Sequence, residues 1–297
     1  MNQNRAYTFA GVAIFFWSTV ATAFKLGLQY MSPAILVLLS SITAFITLLI
    51  VAFARGQLHY LRELNSKDLL KSCILGLLSP FLYYLVLFKA YDLLPAQLAQ
   101  PLNMVWPIVL VFLSVPILKQ HIGWKSFLAL FICFIGVLFI SSNGSLFQFG
   151  NTNWFGVLLA LGSSIIWSFY FLINLRDSKP EEIKLLLNFF FSSIYITFFC
   201  LFTGGIEWPV WEGFVSGIYI GLFEMGLTYL FWLKALRLSA STDKISSLVY
   251  LAPFVSLVFI HYVLGETIYM TTILGLVLIV AGILFQKFGS HLRKNRI

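Results

Sequence analysis

Long apolar stretches, each closed by a short polar cluster, make up most of this chain. A helix that crosses a hydrocarbon core of about 30 Å needs about 20 apolar residues. Runs of about that length occur ten times, near 7–27, 33–54, 70–88, 97–117, 124–141, 154–174, 185–203, 214–233, 246–264 and 271–288. The polar breaks between them are short. The longest, Arg55–Lys71 and Arg176–Lys184, are loops between spans, and none is long enough for a soluble domain. The pattern predicts an all-α polytopic membrane protein of ten transmembrane helices.

The pattern also repeats. A segment from Leu85 to Phe139 resembles one from Leu230 to Phe285. Lys89-Ala90 aligns with Lys234-Ala235 at an offset of 145, and Pro107 with Pro253 and Gly136 with Gly282 at 146, so one residue is gained between the two sets. The motif lies late in each half, which makes the unit five spans: residues 1–148 and 149–297. An odd number of spans turns the second copy upside down relative to the first. Such inverted repeats are a signature of proteins that alternate access around a central site.

Composition agrees with the span count. The chain of 297 residues is 60% hydrophobic and 10% charged, more apolar surface than a soluble domain could hide. Its net charge of +8 would suit a nucleic-acid partner, but the basic residues punctuate apolar runs instead of clustering on a soluble module. No nucleic-acid partner is expected. Ten spans place both termini on one side. If that side is the cytoplasm, it holds 17 of the 19 basic residues, leaving only Lys25 and Lys89 near the outer side. The expected place is therefore the cytoplasmic (inner) membrane, with both termini cytoplasmic. The paired turns carry opposite charge. The turn at Lys89–Asp92 is nearly neutral and outside, while its counterpart with Lys234, Arg237 and Lys244 is basic and inside. Likewise Lys119 and Lys125 face in, whereas the matching turn holds Glu266 and no basic residue.

Ala21-Thr22-Ala23 resembles a signal-peptidase site, but bulky Trp17 and Phe24 beside it and a single basic Arg5 before it favour an uncleaved first span. Cys73, Cys133 and Cys200 fall in separate apolar runs, which argues for packing residues over a disulfide framework or a metal site.

Several short motifs carry a resemblance. Trp17-Ser18 is followed by Lys25-Leu26-Gly27-Leu28 and Ser32-Pro33, and Trp167-Ser168 recurs in the sixth span. The fourth and ninth spans share the Pro107/Pro253 motif, and the ninth ends in Leu264-Gly265-Glu266 where the fourth has Leu118-Lys119-Gln120. These residues resemble the drug/metabolite transporter superfamily, in particular its ten-span EamA-type permeases, whose common ending is Leu-Gly-Glu. The resemblance implies a basket of two inverted five-helix repeats around a central cavity. The first four helices of each repeat would line or gate the cavity. The fifth and tenth would lie to one side as packing surfaces, where a homodimer could form. It implies no cofactor.

Glu224 is the one acidic residue well inside a span, about 15 Å deep at 1.5 Å per residue. A mid-membrane acid costs about 2.5–3.5 kcal/mol on insertion scales, so it should face water or a partner. It is a candidate for substrate recognition or proton coupling; the alternative is an acid hydrogen-bonded to a neighbouring helix for packing. Thr228 lies one turn on, on the same face. The 145 offset sets Ser79, Tyr83 and Tyr84 of the third span against Glu224, Thr228 and Tyr229. Asn103, near Pro101 and Pro107, and Tyr250 with Ser247, before Pro253, sit where proline can free backbone polarity or bend a helix. Trp17 and Trp167 are indoles for a cavity wall or for packing. The expected cavity-lining set is thus Trp17, Tyr83, Asn103, Trp167, Glu224, Thr228 and Tyr250, with Glu224 also the candidate for proton coupling. Lys25 could snorkel to the headgroups or attract an acid. Gly213, Gly217 and Gly221 form a small-residue stripe suited to close packing. Asn143-Gly144-Ser145 reads first as a turn, although it matches a glycosylation sequon.

These readings point to a secondary transporter of a small metabolite, an exporter of amino acids or related compounds. Export of a lipophilic cation, a drug or a lipid-linked substrate is the alternative within transport. An integral-membrane enzyme would need a phosphate-cradling glycine loop, H-E-x-x-H, G-x-S-x-G or paired aspartates within spans, and the sequence has none of them.

Overall fold

The computed structural model describes residues 3–118, 124–142, 144, 152–174, 179–239 and 248–294. Lys119, Gln120, Asn143, Ser145, Arg176, Lys244 and Ser247 lie outside the described residues. Helices are the only regular secondary structure among those described. Eight are long and apolar enough to cross a membrane: α1 (Gln3–Leu28), α2 (Pro33–Ala54), α3 (Ser66–Leu93), α4 (Ala96–Ile117), α5 (Trp124–Ser141), α6 (Trp154–Asn174), α7 (Glu181–Thr203) and α8 (Trp211–Leu236). Two shorter apolar helices follow, α9 (Val249–Leu264) and α10, apolar over Met270–Phe285 and helical to Lys294.

Local chemistry sets the helix starts. Ser32 accepts from the Ile35 amide at 3.4 Å, and Pro33 occupies the first helical position of α2, where its missing N–H costs nothing. Asn65 and Asp68 form a reciprocal capping box that opens α3 four residues before the first apolar run. Pro180 precedes α7, whose first turn carries Glu181 and Glu182 at the positive end of the helix.

The chain divides into two compact units, and each takes segments from both halves of the sequence. The first comprises Met1–Phe88 and Asp177–Leu264. Within it α1 packs along α8 and α9, α2 along α7 and α8, and α3 along α7. Lipid gives no hydrophobic drive for helices to meet, so close packing of small residues must supply it. Gly76 of α3 and Gly221 of α8, which are 145 apart, do this in the same way. A Cβ at Gly76 would stand 2.6 Å from the Asn188 carbonyl of α7, and one at Gly221 would stand 2.6 Å from the Ser40 carbonyl of α2. A Cβ at Gly217 would collide with the Leu39 side chain, so the glycine stripe of α8 is a packing seam. Along α1, Phe16 stacks on Phe223 with ring centroids 4.2 Å apart, and the Thr19 and Tyr219 hydroxyls lie 2.6 Å apart. Ion pairs Arg55–Glu182 and Lys179–Asp68 tie the end of α2 and the start of α3 to the start of α7, and Lys184–Glu181 lies within the first turn of α7.

The second unit comprises Lys89–Arg176 and Gly265–Ile297. Its largest interface is α5 on α10, crossing at a pair of glycines. A Cβ at Gly136 would stand 2.7 Å from the Gly275 carbonyl, and one at Gly275 would stand 2.5 Å from the Gly136 carbonyl. Here α6 packs against α4. Helix α4 is not continuous: it is helical over Ala96–Asn103, turns at Met104 and Val105, and resumes at Trp106.

Candidate functional site

Two helices of the first unit carry an irregular turn. In α3 a π-helical turn spans Leu77–Leu82, with Ser79 non-helical inside it (φ −150°, ψ 128°). In α8 a π-helical turn spans Ile220–Leu227. Adding the repeat offset of 145 to 77–82 gives 222–227, which lies inside the second segment. A π turn holds more residues than an α turn and is found mostly where a helix serves a site. Pro80 has no N–H to offer the ladder and accounts for the break in α3. α8 forms its π-helical turn at the matching place without a proline.

Glu224 sits within the α8 π segment. Its Oε1 accepts a hydrogen bond from the Tyr84 hydroxyl of α3 at 3.1 Å, while its Oε2 is buried without a partner. Tyr84 is 5% exposed and is held by the Tyr83 ring at 4.7 Å and the Phe88 ring at 5.5 Å between centroids. Thr228 follows the π segment directly, is fully buried, and its Oγ1 has no partner among the described residues. On α2, by contrast, Thr43 and Thr47 return their hydroxyls to the carbonyls four residues back, at 2.8 and 2.7 Å. Those are regular helical positions.

The other sequence candidates have surroundings of their own. Trp17 is half-buried on α1, with its indole 5.3 Å from that of Trp232 on α8. Tyr250 belongs to a tight 3₁₀ turn, Val249–Leu251, at the head of α9. Asn103 and Trp167 are in the second unit. The Asn103 amide donates to the Ser163 hydroxyl of α6 at 2.8 Å, which ties α4 to α6 at the break. The Ser168 hydroxyl lies 2.8 Å from the Trp106 carbonyl, and Trp167 lies 5.4 Å from the Tyr170 ring. The structure therefore brings together Glu224, Thr228 and the Tyr83–Tyr84 pair. The tyrosine whose hydroxyl donates to the acid is Tyr84, with the Tyr83 ring packed against it. The break in α4 also recurs: an offset of 146 carries Asn103–Val105 onto Val249–Leu251, each just ahead of the paired prolines. No cluster of three or more potential metal ligands occurs among the described residues, and Cys73, Cys133 and Cys200 are free thiols.

Residues 4–142 and 154–286 match the EamA-like transporter family, together almost the whole chain. The chain belongs to the EamA-like transporter family. An uncharacterized transporter of Clostridium kluyveri is 22% identical over 304 residues, spanning 99% of this chain and 96% of the relative. The uncharacterized transporter YvbV of Bacillus subtilis is 24% identical over 285 residues, spanning 95% and 91%. A crystal structure 19% identical in sequence covers 100% of both chains with a TM-score of 0.68, a likeness of fold. Family and apolar helices together make this an integral membrane transporter.

In this EamA-like transporter the ending Leu264-Gly265-Glu266 has a structural task. Gly265 takes the left-handed conformation (φ 70°), closes α9 and turns the chain. Glu266 then accepts from the Ala96 and Gln97 amides at the head of α4, at 2.8 and 3.1 Å. Gln97 answers with its side chain, donating to the Thr267 carbonyl at 2.7 Å and accepting from the Thr272 hydroxyl at 3.2 Å. From the sequence Glu266 was only an outer-loop charge, because nothing in spacing reveals that it caps a helix some 170 positions away. Glu266→Ala strands two amides and costs about 2 kcal/mol, while Glu266→Gln, which still accepts, costs less. Unfolding in detergent, with hydrogen exchange at Ala96 and Gln97, checks both; equal stability of all three proteins would refute the clasp.

Proposed function

We propose that this EamA-like protein is a secondary transporter that exports a small metabolite, an amino acid or related compound, across the cytoplasmic membrane by alternating access. Ten spans form two inverted repeats, 1–148 and 149–297, around a central cavity, with both termini cytoplasmic. The observation that carries the reading is Glu224: a mid-membrane carboxylate in a π turn, held by one tyrosine and with one oxygen left open. An intramembrane acid is a functional position by default. The recurrence of irregular turns at repeat-matched positions in α3 and α8, and again in α4 and α9, supports the duplication. The 17-to-2 division of basic residues supports the orientation.

The test is reconstitution in liposomes with a panel of radiolabelled amino acids and metabolites, with and without a pH gradient. At least one amino acid is expected to cross faster than in protein-free vesicles, at a rate the gradient changes. If no solute in the panel does so, the reading fails. A lipophilic cation is the second reading, favoured by the Tyr83, Tyr84 and Phe88 rings beside the carboxylate. Preferential movement of a quaternary ammonium dye would select it.

A further inference from the structure

The open valences around Glu224 specify more than a charge. We infer that the group received there is a primary ammonium, bound by Glu224 Oε2 and Thr228 Oγ1; the inference rests on the reading of Glu224 as the substrate site. An ionised carboxylate only accepts hydrogen bonds, and a hydroxyl accepts as readily as it donates. Oε1 already receives the Tyr84 hydroxyl. Oε2 and Thr228 Oγ1 are both buried and both unfilled. Four residues apart, they lie within about 40° of one helix face. Tyr84 is the one hydrogen-bond partner of Glu224 among the described residues, and none of the ion pairs among them involves Glu224. Buried unpartnered hydroxyls occur on other helices as well, at Thr22, Ser40, Ser41, Ser141, Ser192 and Ser256. Only the one at Thr228 follows a membrane-embedded carboxylate by one turn.

The count of donors then separates the candidate cations. A primary ammonium carries three N–H groups on a compact charge and can fill both acceptors at once. A quaternary ammonium carries none and would leave both unfilled, at the full cost of their desolvation. A guanidinium binds a carboxylate best through a planar fork on both oxygens, and here it would have to share Oε1 with the Tyr84 hydroxyl.

The test uses the full-length protein in detergent and reads thermal unfolding against 2-phenylethylamine, its N,N,N-trimethyl derivative, 2-phenylethylguanidine and the uncharged ethylbenzene, then the same comparison for butylamine and for amino-acid amides. Primary amines are expected to raise the unfolding temperature of the wild type, and the trimethyl and uncharged partners are not. Glu224→Gln should abolish the response. Thr228→Val should weaken the apparent affinity about fivefold, the loss of one hydrogen bond. If Glu224→Gln fails to fold, Thr228→Val decides alone: an unchanged preference for primary over trimethyl amines overturns the inference. It is equally overturned if no primary amine shifts the wild type, if trimethyl and primary amines shift it equally, or if Glu224→Gln still responds. Its failure is distinct from failure of the transport reading. Liposomes that move only solutes without an amino group keep the transporter and refute the ammonium, whereas liposomes that move nothing refute the transporter.

Discussion

Glu224→Gln is expected to lower transport in liposomes by about tenfold to a hundredfold while leaving the fold intact. Glutamine has the same shape, and its carbonyl oxygen can still accept from the Tyr84 hydroxyl, the one hydrogen bond the carboxylate makes. What disappears is the charge and the acceptor at Oε2, which no group among the described residues uses. Hydrogen bonds to charged groups contribute about 1.5–3 kcal/mol, against about 1.4 kcal/mol per factor of ten. The removal of a lone buried charge should not lower the unfolding temperature, and it can raise it. Initial rates at matched protein density, beside unfolding temperatures, separate the two effects. Normal rates with the pH dependence retained would make Glu224 a structural acid.

The second large effect belongs to the second unit. Gly136→Val or Gly275→Val should destabilise the protein by about 2–3 kcal/mol through overpacking at the crossing of α5 and α10. Each added Cβ would meet the partner glycine's carbonyl oxygen, at 2.7 and 2.5 Å. A flexible side chain could swing aside, but a carbonyl inside a helix can move only with its whole turn. Gly11→Ala and Gly162→Ala are the controls. Nothing stands within 4 Å of a Cβ at either position, so they should be neutral or slightly stabilising. Midpoints of denaturant unfolding in mixed micelles would show the difference, and a Gly275→Val midpoint equal to wild type would dismiss the crossing as a source of stability.

Reading the sequence located what depends on hydropathy and on local chemistry. Apolar runs mark helices because lipid admits backbone polarity only when it is paired within the helix, and Ser32-Pro33 marks a start because both residues suit a helix N-terminus. The importance of Glu224 was legible for the same reason, as a charge where charge is expensive. The partners of these residues were not legible. The repeat offset relates equivalent positions in two copies and says nothing about which side chains touch, so it set Tyr84 against Tyr229 while the hydroxyl in fact goes to Glu224. Asn103 was a candidate because of the prolines near it, and its amide instead joins α4 to Ser163 of α6, a contact that depends on how two helices cross. The π turns had a partial signal in Pro80 and none in α8, since an extra residue in a helical turn leaves the hydropathy unchanged.

That extra residue has a consequence for how length and register are connected in this chain. A π turn is an α-helix that has accommodated one residue more than its turn requires. Helix α8 can therefore lose one residue between Ile220 and Leu227 and close into regular winding with both flanking halves facing as before. Where the lost residue precedes Glu224, however, the carboxylate would swing by about 100°, one residue's worth of rotation, away from Tyr84. In this helix a change in length would be silent for the scaffold and decisive for the acid. Insertions and deletions, more than substitutions, are then the route by which such a helix gains or loses its polar position.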